Sequence, residues 1–309
     1  MKSVTFENKV FSTVVAADIY FPENFDEKKK YATIITAHPI GSCKEQTSGN
    51  IYGKAFADAG FVVLAFNASF QGESSGEPRW LEDPGARVED FRCALDYLIT
   101  QEYVDETRIG LLGICGGGGY SVKAAMTDRR IKALGTVVAV NFGRMVREGF
   151  GTGVTPVTAL EGIAKQRIAE IRGAELHVSN SLPSSVEAAE KMGITEIDVI
   201  EATKYYKTPR GEKPQGATSS LDSHMGAMYG FDAFFPAEHL LTQPLQIIVG
   251  GIAGGFGSFR DGFDLLNRAK SDKKEIVVIP GASHYDLYWD PEYTSQALAK
   301  LIPFYKENL

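Results

Sequence analysis

The stretch Arg108-Ile109-Gly110-Leu111-Leu112-Gly113-Ile114-Cys115-Gly116-Gly117-Gly118-Gly119-Tyr120 constrains the fold more than any other part of the chain. An apolar strand runs directly into a glycine cluster, and residues 120–126 then continue in a helical pattern. Inside it, Gly113-Ile114-Cys115-Gly116-Gly117 has the G-x-nucleophile-x-G form of a strained strand-to-helix turn, with cysteine where serine is usual. The backbone of such a turn is so tightly constrained that neighbouring side chains would clash, which calls for glycine on both sides. The turn lifts the reactive atom above the sheet edge. It also sets the sulfur near a helix N-terminus, whose partial positive charge favours a thiolate. The N–H of Gly116 is then placed to help hold an oxyanion.

Two other readings fit a glycine-rich turn: a dinucleotide-binding loop, or a structural bend with an inert cysteine. Strand–helix units precede this one, and the following strand ends at Val140-Asn141 without the acid that would bind a ribose. That argues against the nucleotide. The earlier units are Tyr31-Ala32-Thr33-Ile34-Ile35-Thr36-Ala37 followed by a helix over 49–59, and Phe61-Val62-Val63-Leu64-Ala65-Phe66 followed by a helix over 87–101. Residues 1–21 read as a hairpin, and 134–140 as a further strand. Short apolar strands alternating with helices predict an α/β fold, a mostly parallel central sheet flanked by helices on both faces.

The alternation breaks near Asn141 and resumes at Leu245-Gln246-Ile247-Ile248-Val249-Gly250. A structureless loop of that length is improbable, so the segment reads as a helical lid over 143–235, with helices at 155–172, 184–192 and 194–206. Residues 1–142 and 236–309 would form the core. The last strand is Ile276-Val277-Val278-Ile279, the loop after it Pro280-Gly281-Ala282-Ser283-His284, and a terminal helix spans 293–307.

Composition narrows the function classes. The 309 residues are 44% hydrophobic and 23% charged with a net charge of −7, which gives no electrostatic reason to bind nucleic acid or anionic lipid. No apolar run approaches the roughly 20 residues that span a bilayer. The three cysteines Cys43, Cys93 and Cys115 lack metal or redox spacing and cannot all pair, so a reducing, cytoplasmic setting is expected. Of the five histidines, His284 stands in the loop after the last strand, from which an imidazole can reach back over the sheet edge to Cys115.

Taken in order, His38-Pro39-Ile40-Gly41, Lys44-Glu45-Gln46, the 71–79 segment, Gly113-Ile114-Cys115-Gly116-Gly117 and His284-Tyr285-Asp286-Leu287-Tyr288 resemble the α/β-hydrolase superfamily. The nearest likeness is to its dienelactone-hydrolase-related branch, which often carries a cysteine nucleophile. The likeness spans nearly the whole chain except residues 143–235. It implies that Cys115 attacks an acyl carbonyl, that His284 takes its proton and later activates water, and that the N–H groups of Gly116 and Ile40 form the oxyanion hole. In dienelactone hydrolase a glutamate and an arginine on two early loops contact the resting thiol and the substrate carboxylate. Glu45 and Arg79 occupy similar loops here, with a loop-fixing ion pair as the other reading.

The family's acid usually follows the strand ending Val249-Gly250. The loop Gly251-Ile252-Ala253-Gly254-Gly255-Phe256-Gly257 carries no carboxylate, and Asp261 is the first one reached. Asp222 and Asp232 are alternatives, as is a Cys–His dyad with no acid. The expected activity is cleavage of a carboxylic ester, lactone or thioester of a small-molecule acyl substrate through an acyl-cysteine, with no metal or cofactor. A catalytically silent binding or scaffold protein and an acyltransferase are the competing readings. The aromatics Phe142, Phe150, Tyr205, Tyr206, Tyr229 and Phe231 would suit an apolar substrate, and Arg144 and Arg147 an anionic one. Oligomeric state is left open, a homodimer included.

Overall fold

The apolar runs on either side of the glycine cluster pair as neighbours. A computed structural model describes residues 1–149, 153–216 and 218–309. Its main sheet contains β1 (Lys2–Asn8), β2 (Thr13–Tyr20), β3 (Tyr31–Ala37), β4 (Val62–Phe66), β5 (Val104–Ile114) and β6 (Ile131–Val137). Two three-residue strands, β7 (Val178–Asn180) and β8 (Ser219–Leu221), pair with each other outside it, and β9 (Leu245–Gly250) and β10 (Lys274–Ile279) complete it. The eight strands lie in the order β1-β2-β4-β3-β5-β6-β9-β10. The hairpin β1–β2 and the β2–β4 pair are antiparallel; every pair from β4 to β10 is parallel.

Both faces of this sheet are covered, which is why its strands read as continuous apolar runs. Successive residues serve opposite cores: Ile35, Leu64 and Leu111 pack into one, Ile34, Val63 and Leu112 into the other. The helices before the break are α1 (Lys54–Asp58), entered through a π-helical turn at Thr47–Gly53, α2 (Pro84–Ile99) and α3 (Gly116–Thr127). Asp83 caps α2, its carboxylate accepting from the Ala86 N–H at 2.9 Å, and Pro84 begins the helix. Between β6 and β9 come α4 (Phe142–Arg147), α5 (Pro156–Ile171), α6 (Val186–Lys191), α7 (Ile197–Tyr206), α8 (Gly226–Gly230) and α9 (Ala237–Leu240). The chain closes with α10 (Ser258–Arg268), α11 (Asp286–Trp289) and α12 (Pro291–Asn308). The Tyr305 hydroxyl of α12 donates to the Leu111 carbonyl of β5 and pins the last helix to the sheet centre.

Two differences from the sequence reading have physical reasons. Helix α3 starts at Gly116 rather than at 120, because tertiary packing overrides the poor helix propensity of four successive glycines. A Cβ on Gly117 would lie 2.5 Å from the His38 carbonyl oxygen and 2.8 Å from that of Ala37. A Cβ on Gly113 would lie 2.5 Å from the Gly117 carbonyl oxygen and 2.2 Å from Ser121 Oγ. The helix sits on the strands too closely for any side chain at these points. The other difference is the β7–β8 ladder, which the sequence reading does not contain. Three-residue strands that meet from distant positions leave no usable period in the sequence.

Gly117→Ala should therefore cost about 1–3 kcal/mol, the usual range for overpacking against groups that cannot retreat. Urea unfolding would check it, and an unchanged midpoint would show that the crossing is looser than described.

Candidate active site

Cys115 is held in a backbone conformation that side chains rarely adopt, φ 54° and ψ −123°. A residue in such a region stores about 1–3 kcal/mol and persists only where its surroundings over-determine it. Here the Cys115 N–H donates to the Val137 carbonyl at 3.0 Å, and its own carbonyl accepts from Val140 N–H at 2.9 Å and Gly118 N–H at 2.9 Å. The residue is thus tied to β6 and to the first turn of α3. Its side chain is 9% exposed and faces a cavity of about 150 Å³.

The cavity walls are mainly apolar: Ile40, Val140, Phe142, Met145, Leu182, Val199 and Phe256. Ser181, Thr218, Ser220, Tyr206 and Tyr285 supply polar atoms. The core loops contribute one side and the segment between β6 and β9 the other. Of the aromatics singled out in the sequence, Phe142 and Tyr206 line the cavity. Tyr205 packs within the core, Phe231 stacks on Tyr120, and Phe150 lies outside the described residues.

Ile40 and Gly116 meet across the cavity floor, where a Cβ on Gly116 would lie 2.6 Å from Ile40 Cδ1. The Gly116 N–H hydrogen-bonds the Cys115 sulfur and lowers its pKa. The loop carrying Ile40 is anchored from beneath. His38 is fully buried; its Nδ1–H donates to the Pro39 carbonyl at 2.6 Å and its Nε2 accepts from the Ala68 N–H at 3.0 Å. Arg87 of α2 donates to the His38 carbonyl at 2.9 Å and pairs with Glu82 at 3.3 Å. Burial, and then the Arg87 charge, hold His38 well below the ordinary histidine range, so it is a neutral brace. Sequence reasoning passed over Arg87, which sits in an ordinary helical pattern with nothing local to mark it as buried.

His284 follows β10 and is buried. Its Nδ1 lies 3.0 Å from Ser258 Oγ, and its Nε2 lies 3.1 Å from the Tyr288 hydroxyl. Tyr288 and Cys115 lie in the same buried cluster, and the Tyr288 hydroxyl pulls the pKa of the thiol down. Tyr288, His284 and Ser258 thus form one chain of polar groups.

Asp261 does not take part in it, contrary to the sequence expectation. Its Oδ2 accepts from the Asn141 N–H at 2.8 Å and from Arg144 Nη2 at 2.7 Å. Ser258, three positions earlier on α10, faces His284 instead. The other carboxylate candidates are also engaged elsewhere: Asp222 with His177 and Ser179, Asp232 with Asn141 and Arg268. Arg144 is held by Asp261 and Glu148, and Arg147 by the carbonyls of Tyr229 and Phe231.

Glu45 and Arg79 are likewise placed away from the thiol of Cys115. Glu45 pairs with Lys44 at 2.6 Å and hydrogen-bonds Cys43, the neighbouring cysteine rather than the one at the turn. Arg79 Nη2 donates to the Gly72 carbonyl at 2.7 Å, and Nη1 to that of Ser74, bracing their shared loop. Neither residue lines the cavity, and they do not pair with each other.

A carboxylate the sequence did not single out does approach the site. Asp198, at the start of α7, is buried, and its Oδ2 accepts from the Phe256 N–H at 2.8 Å. Glu196 beside it accepts from the Gly255 N–H at 2.6 Å. Burial raises Asp198 to about 7. The two acids clamp α7 onto the loop between β9 and α10, the loop that leads into Ser258.

Electrostatically the resting site is neutral. Burial pushes the Cys115 thiol up to about 11, against smaller downward pulls from the Tyr288 hydroxyl and Gly116 N–H, and it drives His284 down to about 3. Desolvation outweighs the helix end. The expected resting thiolate is therefore replaced by a thiol beside an uncharged imidazole.

Fold and site together define an α/β hydrolase. Residues 12–155 match the X-Pro dipeptidyl-peptidase (S15) family. The chain is 41% identical to YcjY of Escherichia coli K12 over 310 residues, which cover 99% of this chain and 98% of YcjY. It is 33% identical to PA2218 of Pseudomonas aeruginosa over 293 residues, 93% of this chain and 76% of that one. The crystal structure of PA2218 superposes with a TM-score of 0.89 at 28% identity, over 100% of this chain and 93% of that chain. The α/β hydrolase GrgF from Penicillium shares the fold at a TM-score of 0.76 and 16% identity, over 99% and 98% of the two chains. The chain belongs to the family of YcjY and PA2218, within the α/β-hydrolase superfamily. Among the described residues no helix is long and apolar enough to cross a membrane.

With the thiol held neutral, alkylation of Cys115 by iodoacetamide should be slow at pH 7. Its rate should climb about tenfold per pH unit toward pH 10, because only the thiolate reacts. Mass spectrometry of the peptide containing Cys115 would follow it; a rate that is already flat near pH 7 would mean a preformed thiolate and contradict the neutral site.

Proposed function

We propose that this hydrolase cleaves a carboxylic ester, lactone or thioester through an acyl-cysteine on Cys115, using the cysteine as the dienelactone-hydrolase-related branch does. The observation that carries this reading is the strained turn at Cys115, which presents a thiol to a mainly apolar cavity whose lining residues Phe256 and Tyr285 also pack against the ring of the buried His284. Strain of this kind collects where chemistry uses it.

In this mechanism Sγ attacks the acyl carbonyl while His284 receives the thiol proton, so the neutral resting pair acts by general-base catalysis and needs no standing ion pair. The N–H groups of Gly116 and Ile40 hold the oxyanion. The leaving alcohol or thiol takes the proton back, and water, activated by the same imidazole, then releases the acid. Ser258 occupies the orienting position that an acid holds elsewhere in the superfamily. The segment between β6 and β9 acts as a lid that closes the acyl pocket. A cavity near 150 Å³ holds a group about the size of benzene, so the favoured acyl group has about four to six carbons. The partner is this small-molecule acyl substrate, and the three free cysteines support a reducing compartment, the cytoplasm, as its setting.

Nitrophenyl esters test the proposal. Butyrate and hexanoate esters should turn over, palmitate should not, and Cys115→Ala should lose roughly 10³-fold or more in kcat/KM. Rapid quenching followed by mass spectrometry should find the acyl mass on Cys115. An adduct on another residue, or full turnover by the alanine variant, would remove Cys115 as the nucleophile. Equally slow labelling of all three cysteines with no ester turnover would favour a silent scaffold.

A further inference from the structure

The imidazole that should serve as base is aimed at a phenol. His284 Nε2 lies 3.1 Å from the Tyr288 hydroxyl, and Tyr288 shares a buried cluster with Cys115, whose thiol pKa that hydroxyl pulls down. Tyr288 stands four residues beyond His284, on the short helix α11 that begins two residues after it. Its ring is fully buried, 4.6 Å from that of Tyr285 and 5.3 Å from that of Tyr205, the latter edge-on at 85°. At the far end Ser258 Oγ, 3.0 Å from Nδ1, can accept the Nδ1–H of the cation formed when His284 takes up a proton.

Building on Cys115 as nucleophile, we propose that Tyr288 is a catalytic proton relay between the thiol and His284. As Sγ bonds to the acyl carbon, the S–H proton passes to the Tyr288 oxygen while the Tyr288 proton passes to Nε2. The carbonyl π electrons move onto the oxygen in the oxyanion hole. When the adduct collapses, the C–O or C–S bond to the leaving group breaks, and the proton on Nε2 returns through Tyr288 to the departing atom. In deacylation the attacking water takes the place of the thiol: its proton travels through Tyr288 to Nε2, and the return proton goes to Sγ as the acid leaves. Tyr288 begins and ends each half-reaction as a phenol. A free phenolate is excluded as an intermediate because burial holds that hydroxyl well above the ordinary tyrosine pKa. The two transfers are therefore concerted, which is what a hydroxyl with one acceptor and one donor neighbour permits.

Tyr288→Phe keeps the ring and removes only the relay atom. With a nitrophenyl ester it should lower kcat by about 10²-fold, the lower range for losing a positioned proton-transfer group, and leave KM within about twofold. The wild-type rate, plotted against deuterium fraction in mixed water, should curve because more than one proton is in flight, and the plot for the variant should become linear. A variant with wild-type kcat, or a linear plot for the wild type, overturns the relay; the wild-type plot decides the matter even should the variant not fold. Cys115→Ala run alongside separates the two claims. If it abolishes turnover while Tyr288→Phe does not, only the relay fails; if it retains turnover, the nucleophile falls and the relay with it.

Discussion

Backbone meets backbone where β5 turns into α3, and the rest of the site is arranged around that contact. A methyl group on Gly117 would enter the van der Waals shells of the Ala37 and His38 carbonyl oxygens at the end of β3, and one on Gly113 that of the Gly117 carbonyl oxygen in α3. With no side chain to separate them, helix and strands approach until Cys115 is left at φ 54°. Strain at this one residue is tolerated because its N–H and carbonyl are both satisfied across the turn. The same approach brings Gly116 against Ile40 and so creates the narrow floor of the cavity.

Closeness also sets the charge state. A thiol and an imidazole that sit in water near a helix end would favour an ion pair, but here both are desolvated, and burial is the largest influence on each. Neutral partners cost less to bury than separated charges, so the resting site stores its reactivity in position rather than in charge. In the mechanism proposed above, that choice shifts the catalytic demand onto proton transfer during attack. Asp198 and Glu196 extend this logic outward. By gripping the amides of Gly255 and Phe256, they join α7 to the loop that leads into Ser258.

Much of this was legible in the chain because its cause is local. A glycine on each side of Cys115 is demanded by the turn that Cys115 occupies, and alternation of apolar runs with helices follows from a sheet covered on both faces. His284 was legible from its place after the last strand. Tyr288 stood in the same quoted motif, and its spacing of four from His284 could have marked it, since residues so spaced share one face of a helical turn. Asp261 and Ser258 show where local reasoning stops. They lie three residues apart at the start of one amphipathic helix, and a carboxylate attracts attention that a serine does not. The direction each side chain points depends on how α10 is rotated against β9, which no residue of the helix reveals. Glu45 failed in a similar way: the loop was read as belonging to the site, yet its side chain turned toward Lys44 and Cys43.

What the sequence determined by itself was the architecture, the sharp turn with a cysteine at its tip, and the histidine that follows the final strand. Those follow from sterics and periodicity, which act between residues close along the chain. Only the tertiary structure decided that His284 meets Ser258 and Tyr288, that Asp261 belongs to Asn141 and Arg144, and that thiol and imidazole rest uncharged. Hydrogen-bond partnership and desolvation are set by which distant segments are brought together and how much water they exclude, and neither quantity exists until the chain has folded.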